Sequence, residues 1–206
     1  ELAAYARMKA YDAAAALVGL YVYKTWRSRK PLSRLTYSRA LRHMHLLMAV
    51  GVFGAVGTAQ AAGRSEGLAK KRYLRLHKQT GLVMLLALVL RAFLRLRSGV
   101  PPRFPAHRAV QFVESQSLRA FYVLCLALPL SGMAYEYFLH WAPALQKEES
   151  QEEDERNERL AKRSMTLHRQ LGKFLEYAWL PFHLCYTGAY HYSRGRGVLR
   201  KVSPFI

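Results

Sequence analysis

The chain has 206 residues, a formal net charge of +19 and a hydrophobic content of 51%. This content is too high for an intrinsically disordered chain, and the two cysteines, placed inside uncharged runs, exclude a disulfide scaffold, a CxxC metal site and a dithiol redox motif. The charges bracket long uncharged runs, a pattern that indicates a multi-pass membrane protein with basic edges rather than a nucleic-acid-binding protein.

Residues 1–35 form an N-terminal extension that precedes the first long apolar run. Its Ala-rich stretch, residues 10–26, contains only 11 consecutive uncharged residues, 13–23, whereas a membrane span needs about 20. We therefore expect an interfacial or partner-packed helix in this extension. A membrane-spanning helix is the alternative.

Residues 36–206 contain four apolar helices, which predict an all-α membrane four-helix bundle. The shorter helices reach the required length if their terminal charges lie at the headgroup level. The predicted bounds of the four helices are 41–62, 76–94, 118–141 and 167–192. Pro129 and Pro181 lie inside the third and fourth helices and predict kinks there. The connector 97–106 contains Gly99 and three prolines, and it is expected to be a turn.

A strongly charged insert, residues 146–163, precedes the fourth helix. Seven acidic residues fall between Glu148 and Glu158 and basic residues follow, an order that predicts a solvated helix leading into the membrane. We call the side on which the first helix starts side A and the opposite side side B. Side A collects 17 Lys and Arg with one acidic residue, and side B collects 13 with eight acidic residues. The positive-inside rule therefore favours side A as the inner side.

The eight histidines carry the most specific functional signal, because seven of them fall at or inside the predicted spans, where ionisable residues are costly. Counted by depth along their helices, they form two pairs: His77 with His168 near side B, and His45 with His183 near side A. A pair of histidines on two facing helices is the arrangement that holds a haem by both axial positions. The sequence therefore predicts two b-type haems, one in each leaflet, that carry electrons and leave the iron no open site for oxygen.

The two side B histidines lie in a repeated pattern, LHKQTG at 76–81 and LHRQLG at 167–172. Gly81 and Gly172 come four residues after each histidine, on the same helix face, and leave room for a flat macrocycle. The basic residue that follows each histidine is placed to pair with a haem propionate. The predicted propionate partners are Arg39, Arg42, Arg75, Lys78 and Arg169.

The remaining histidines are expected to have other roles. His43 competes with His45 for the side A position, and His45 is preferred because it lies deeper and an apolar run follows it. His191 is expected to be structural or to face a propionate, and His107 and His140 to lie in a loop and at the membrane interface. A single interfacial histidine is more often hydrogen-bonded than a ligand, and a zinc site would need two further ligands for each pair.

Several motifs occur together along the chain. They are YSRALRHMHLL in the first helix, LHKQTGLVMLLALVLRAFLRL with PPRFP after the second, ALPLSGM in the third, and HRQLG…HLCYTGAYHY…GVLRKVSP at the end. Over residues 37–204 they resemble the bacterial-type cytochrome b-561 family, di-haem four-helix membrane cytochromes related to the cytochrome subunits of nickel hydrogenases and formate dehydrogenases. The resemblance implies two haem b groups and a quinone as cofactors, and quinol oxidation or electron transfer across the bilayer as the activity. It implies that the haem ligands are His45, His77, His168 and His183.

The chain departs from the family pattern in places. The two ligands on the fourth helix are 15 residues apart rather than the usual 14, so a bulge near Pro181 is needed to absorb the extra residue. The insert 146–163 enlarges the loop before the fourth helix, and the extension 1–35 has no counterpart. These additions favour an alternative function: an accessory or structural subunit of a large respiratory-type complex, with haems that are structural, vestigial or lost.

The two functions imply different partners. The electron carrier needs the lipid bilayer and a redox partner, whereas the subunit is expected to contact other membrane proteins through residues 1–35 and 146–163. A homodimer is a third arrangement, and no nucleic-acid partner is expected. Because the chain begins at Glu1 without Met, as a processed organellar protein does, the mitochondrial inner membrane is favoured over a bacterial inner membrane.

Overall fold

The structure, a computed structural model, describes residues 37–99, 107–145, 151–193 and 203–204. The expectations for the N-terminal extension, for most of the connector 97–106 and for the first residues of the charged insert lie outside this part of the chain.

The described residues form long α-helices and no strand. Helix α1 (Arg39–Gly63) and helix α2 (Gly67–Ser98) form an antiparallel hairpin. Helix α3 (residues 108–145) and helix α4 (residues 151–193) pack along each other, and α2 contacts α3. The predicted all-α membrane bundle of four helices is confirmed.

All four helices are longer than the sequence predicted, because hydropathy marks the part of a helix that faces lipid and not its ends. The charged flanks continue each helix, so that α2 begins at Gly67 and α3 at Arg108. The ends are set by local chemistry: the Ser38 hydroxyl accepts a hydrogen bond from the Leu41 N–H at the start of α1. Gly99, with a φ of 76°, ends α2 in a conformation that favours glycine.

Three helices in the described part of the chain are long and apolar enough to cross a membrane: Arg39–Gly63, Gly67–Ser98 and Arg108–Trp141. Helix α4 begins with the strongly charged residues of the insert. Its part Gln151–Phe174 packs along α3, and Trp179, farther along, stacks on Phe121 of α3. A fourth span in α4 stays a prediction, which this packing supports. The predicted helix of the insert is confirmed from Gln151 onward, where it is continuous with the rest of α4.

Helices α3 and α4 each contain one π-helical turn, at Tyr137–Trp141 and at Leu175–Trp179. A π-helical turn adds one residue to a helix without breaking it. In α4 the turn lies between His168 and His183 and ends just before Pro181, which has no N–H to donate to the preceding turn. The bulge that the 15-residue spacing predicts is therefore confirmed.

The buried core is small and lies between the four helices. Its residues are Met48 and Val52 on α1, Met84, Ala87 and Leu88 on α2, Leu124 and Cys125 on α3, and Leu175 and Trp179 on α4. Many large apolar side chains face outward instead, among them Val50, Leu86 and Val123. An apolar exterior around a thin core is expected where lipid, and not water, surrounds the helices.

Candidate functional site

His77 on α2 and His168 on α4 face each other inside the bundle. Their ring centroids are 5.9 Å apart and the ring planes are at 84° to each other. Both side chains are half-buried. The structure therefore brings together the two histidines that the depth count paired near side B, from helices that are far apart in the sequence.

The ring of His77 is held by a backbone group of α1. Its Nδ1 lies 2.9 Å from the Ala55 carbonyl oxygen, and because a carbonyl only accepts, Nδ1 is the protonated nitrogen. The lone pair is then on Nε2, which makes no hydrogen bond within the described residues. A histidine held in this tautomer by a carbonyl is the usual form of a metal-binding histidine.

His168 is held in the same tautomer by α3. Its Nδ1 donates to the Leu128 carbonyl oxygen at 2.9 Å, and the Ser131 hydroxyl, itself bonded to that carbonyl at 2.9 Å, lies 3.1 Å from the same nitrogen. Gly132 makes space for the ring, since a Cβ at this position would come within 3.3 Å of the imidazole. The sequence of α3 thus shapes the position of a ligand on α4.

These observations fit an iron porphyrin between His77 and His168. Both imidazoles carry a lone pair on Nε2, and a porphyrin already supplies four nitrogen ligands, so two histidines complete the coordination. A Cβ built on Gly81 or Gly172 would meet no heavy atom within 4 Å, so the position one turn after each histidine is open. Within the described ranges, no three His, Cys, Asp or Glu side chains are grouped as a protein-only metal site requires.

His45 on α1 and His183 on α4, the predicted side A pair, are both half-buried. Neither ring is hydrogen-bonded within the described residues. His183 instead stacks on Trp179, with ring centroids 4.7 Å apart and planes at 13°, and Trp179 stacks on Phe121 of α3 at 4.0 Å. Aromatic stacking, not a backbone carbonyl, therefore orients His183.

The π-helical turn decides which way His183 points. In an uninterrupted α-helix, 15 residues rotate a side chain by about 60°, whereas 14 residues return it to within about 40° in the opposite sense. The turn at Leu175–Trp179 absorbs one residue and gives His183 the rotation of the shorter spacing. Within the turn, Glu176 accepts a hydrogen bond from the Gln60 amide of α1.

The other described histidines lie outside the two pairs. His43 is exposed and its Nδ1 donates to the Arg39 carbonyl of its own helix at 2.8 Å. His107 accepts a hydrogen bond from the Ala109 N–H at the start of α3, and His140 is exposed in the π-helical turn of α3. The ring of His191 is half-buried, and its buried Nδ1 has no hydrogen-bond partner in the described part of the chain.

The predicted propionate partners have different surroundings. Lys78 forms an ion pair with Glu136 of α3, 2.7 Å away, and so already has a protein partner. Arg42 donates to the Ser203 carbonyl at 3.0 Å, which ties the start of α1 to the C-terminal segment. Three side chains are exposed: Arg39, Arg75 and Arg169.

Sequence reasoning missed the groups that hold the ligands. A backbone carbonyl such as that of Ala55 carries no mark in the sequence, because any residue supplies one. Ser131 and Gly132 are different, since both lie in the ALPLSGM motif of the third helix, where small residues in an apolar helix indicate close contact with a neighbour. The charge of Arg91 inside an apolar helix was a second signal of function.

The sequence model of the prokaryotic cytochrome b561 family matches residues 36–204, which include α1 to α4 and both histidine pairs. The search of curated proteins finds no match.

Proposed function

The chain belongs to the prokaryotic cytochrome b561 family, and from this we propose that it passes electrons across the membrane between two b-type haems. Family membership and the apolar helices make it an integral membrane b-type cytochrome that acts in electron transfer. The count of two haems, the identity of their ligands and a quinol donor are the parts that we propose.

The observation that carries the proposal is the arrangement of His77 and His168. Each ring presents Nε2 while Nδ1 donates to a carbonyl of the neighbouring helix. This hydrogen bond fixes the ring orientation and makes the ligand nitrogen more basic. A bound haem would supply a one-electron redox centre at this pair.

Electron transfer across the membrane needs a second haem site, held by a second histidine pair in the other leaflet. His45 and His183 lie toward side A on the same helices that carry the bundle core, and the π-helical turn sets the direction of His183. We propose that they bind the second haem. Electrons then pass between side B and side A through two sites in one bundle.

We propose a quinol as the donor because the family resemblance implies one and the site lies within reach of the lipid phase. Exposed apolar side chains surround the bundle on the described helices, so a lipid-soluble donor meets no water layer on its way. Stopped-flow reduction of the purified protein by a short-chain quinol tests this step. The mitochondrial inner membrane, with a bacterial inner membrane as the alternative, stays a prediction that cell fractionation tests.

The main experiment measures haem per chain and the reduced-minus-oxidised visible spectrum of the purified full chain. We expect two low-spin b haems. His77→Ala or His168→Ala is expected to remove one haem, and His45→Ala or His183→Ala the other. His43→Ala and His140→Ala are the matched controls, since both side chains are exposed and lie outside the pairs. Full haem retention in His168→Ala would contradict the ligand assignment.

A second candidate function rests on the acidic start of α4. Glu152, Glu153 and Asp154 occupy its first turn and are followed by further acidic residues in the part of α4 that precedes the predicted span. We propose that this surface, with residues 1–35, contacts protein partners, as an accessory subunit of a larger complex requires. Isolation of a larger assembly on native gels, together with the absence of a Soret band, would favour this function over electron transfer.

A further inference from the structure

Haem ligation by the histidine pairs leaves a group of polar side chains near side A without a function. Arg91 and Arg95 lie one turn apart on α2 and both donate to the Tyr122 hydroxyl of α3, from Nε at 3.4 Å and from Nη1 at 2.9 Å respectively. Arg91 Nη1 also donates to the Leu41 carbonyl of α1 at 3.3 Å. Three helices therefore converge on this arginine cluster, which we define as Arg91, Arg95 and Tyr122.

The arginine cluster holds two positive charges and no negative one. Within the described residues, the ion pairs are Lys78–Glu136 and two pairs on α4, all away from the cluster. The Leu41 carbonyl carries no charge, and arginine does not lose its proton in a protein. Inside an apolar bundle, two cations without a counter-charge are costly, so the cluster has the character of an anion site.

The hydrogen bonds of the cluster also leave donors unused. The Nε of Arg95 is buried and has no hydrogen-bond partner within the described ranges. The guanidinium carbon of Arg95 lies 5.4 Å from the Tyr122 ring centroid, a contact that orients its planar fork. A guanidinium fork fixed in this way binds a carboxylate by two parallel hydrogen bonds, which an ammonium group does not do.

The position of the arginine cluster, close to the predicted side A ligand His45, indicates which anion it binds. The Leu41 carbonyl that accepts a hydrogen bond from Arg91 lies one turn before His45 on α1, so Arg91 is near the predicted side A ligand. Arg95 lies one turn, about 6 Å, farther along α2 toward side A. A haem carries two propionate carboxylates at one edge, and a haem held by His45 would bring that edge within reach of cations next to the ligand.

We propose that Arg91 and Arg95, oriented by Tyr122, bind a propionate carboxylate of the haem held by His45 and His183. The inference rests on the proposed function, since it requires a side A haem. It adds three residues that the sequence did not place among the propionate partners. It also makes the cluster a determinant of the side A reduction potential, because a nearby cation stabilises the reduced haem, which carries one more negative charge.

The test is a redox titration of both haems, followed at their visible bands, in the purified full chain. Arg91→Gln and Arg95→Gln are each expected to lower the side A midpoint potential and to leave the side B potential unchanged. We expect a change of about tenfold in the reduction equilibrium, which is about 59 mV for one electron. Arg97→Gln is the matched control, because Arg97 lies at the same end of α2 but is exposed.

Two further, more conservative variants keep the test valid if a glutamine variant does not fold. Arg95→Lys keeps the positive charge but loses the planar guanidinium group. The midpoint potential of the side A haem should therefore fall by less in Arg95→Lys than in Arg95→Gln. Tyr122→Phe keeps the size of the ring and removes the shared acceptor, so it should shift the same haem in the same direction. If any glutamine variant fails to fold, these two still decide the question.

The outcomes separate the two proposals. A wild-type protein without a side A haem, or His45→Ala with both haems intact, overturns the proposed function and this inference with it. Two normal haems in the wild type and unchanged potentials in the arginine variants overturn the inference alone. Unchanged potentials with loss of a co-purified anionic phospholipid would likewise overturn it, and would assign the cluster to a lipid phosphate.

Discussion

Gly132 of α3 lies directly against the imidazole of His168 on α4, so that a Cβ on this glycine would stand 3.3 Å from the ring. Gly132→Ala is therefore expected to push the ring by a few tenths of an ångström and to weaken haem binding on side B. Overpacking of this kind costs about 1–3 kcal/mol. Haem titration of the apoprotein measures the effect.

Gly132→Val tests the same contact more severely and should abolish the side B haem while the side A haem remains. Gly57→Ala is the control, because a Cβ on Gly57 would meet nothing within 4 Å. Full occupancy of both sites in Gly132→Val would show that His168 does not need this space.

The second prediction concerns Ser131, a buried hydroxyl beside the Nδ1 of His168. Ser131→Ala removes one polar contact but leaves the hydrogen bond from Nδ1 to the Leu128 carbonyl, so the tautomer is kept. We expect a loss of haem affinity of about 0.5–1.5 kcal/mol and no loss of low-spin character. A high-spin side B spectrum in this variant would mean that Ser131, and not the carbonyl, holds the ligand.

The third prediction uses the register of α4. One alanine inserted after Gly172 adds about 100° of rotation between His168 and His183, so the side A haem should be lost and the side B haem kept. The same insertion after Tyr186, beyond both ligands, should leave two haems. Haem per chain and the visible spectrum report both results.

The reverse change removes the bulge. Deletion of Ala178 together with Pro181→Ala shortens the spacing to 14 residues and allows an uninterrupted α-helix, which should retain both haems. Loss of the side A haem in this variant would contradict the function that we assign to the π-helical turn.

The fourth prediction concerns the charged start of α4, where Lys162 donates a 2.6 Å hydrogen bond to Glu158 one turn earlier. This hydrogen bond and the charge of Lys162 lower the pKa of Glu158 below its ordinary value. The pair therefore supports the helix above the pKa that Glu158 has in the unfolded chain, and this support is lost as the pH falls through the lowered pKa.

Hydrogen exchange of the amides in residues 151–163 measures this effect. Protection, corrected for intrinsic exchange, should fall as the pH falls through the acidic range, and Glu158→Gln should remove part of the pH dependence. Glu66→Gln is the control, since Glu66 lies outside α4. An unchanged pH profile in Glu158→Gln would show that the pair does not support this helix.

The pairing of His77 with His168 was predictable because it needs only the rise of an α-helix and the order of the spans. The bulge in α4 was predictable from the family resemblance, since the two ligands on this helix are 15 residues apart rather than the usual 14. The position of the bulge was predicted less well. It was expected at Pro181, whereas the π-helical turn lies at Leu175–Trp179, before the proline.

The groups around the ligands were not predictable, because they depend on how two helices meet. Lys78, which the sequence predicts as a propionate partner, also has an ion-pair partner in Glu136 of α3, 2.7 Å away. No feature of the sequence near Lys78 marks a residue so far along the chain. The helix ends were underestimated for a different reason, since the charged flanks of α2 and α3 remain helical where hydropathy ends.

The hydrogen bonds of His77 and His168 to backbone carbonyls also bear on how long the proposed side B haem would stay bound. Immobilising a side chain on binding costs about 0.5–1.5 kcal/mol of free energy. The hydrogen bonds of these two rings to the Ala55 and Leu128 carbonyls immobilise them when the bundle folds, before haem binds. The side B pair is therefore preorganised, and its haem should dissociate slowly. The side A pair lacks such bonds within the described residues, so its haem should exchange with added porphyrin first, and the two leaflets would differ in residence time although their ligands are the same.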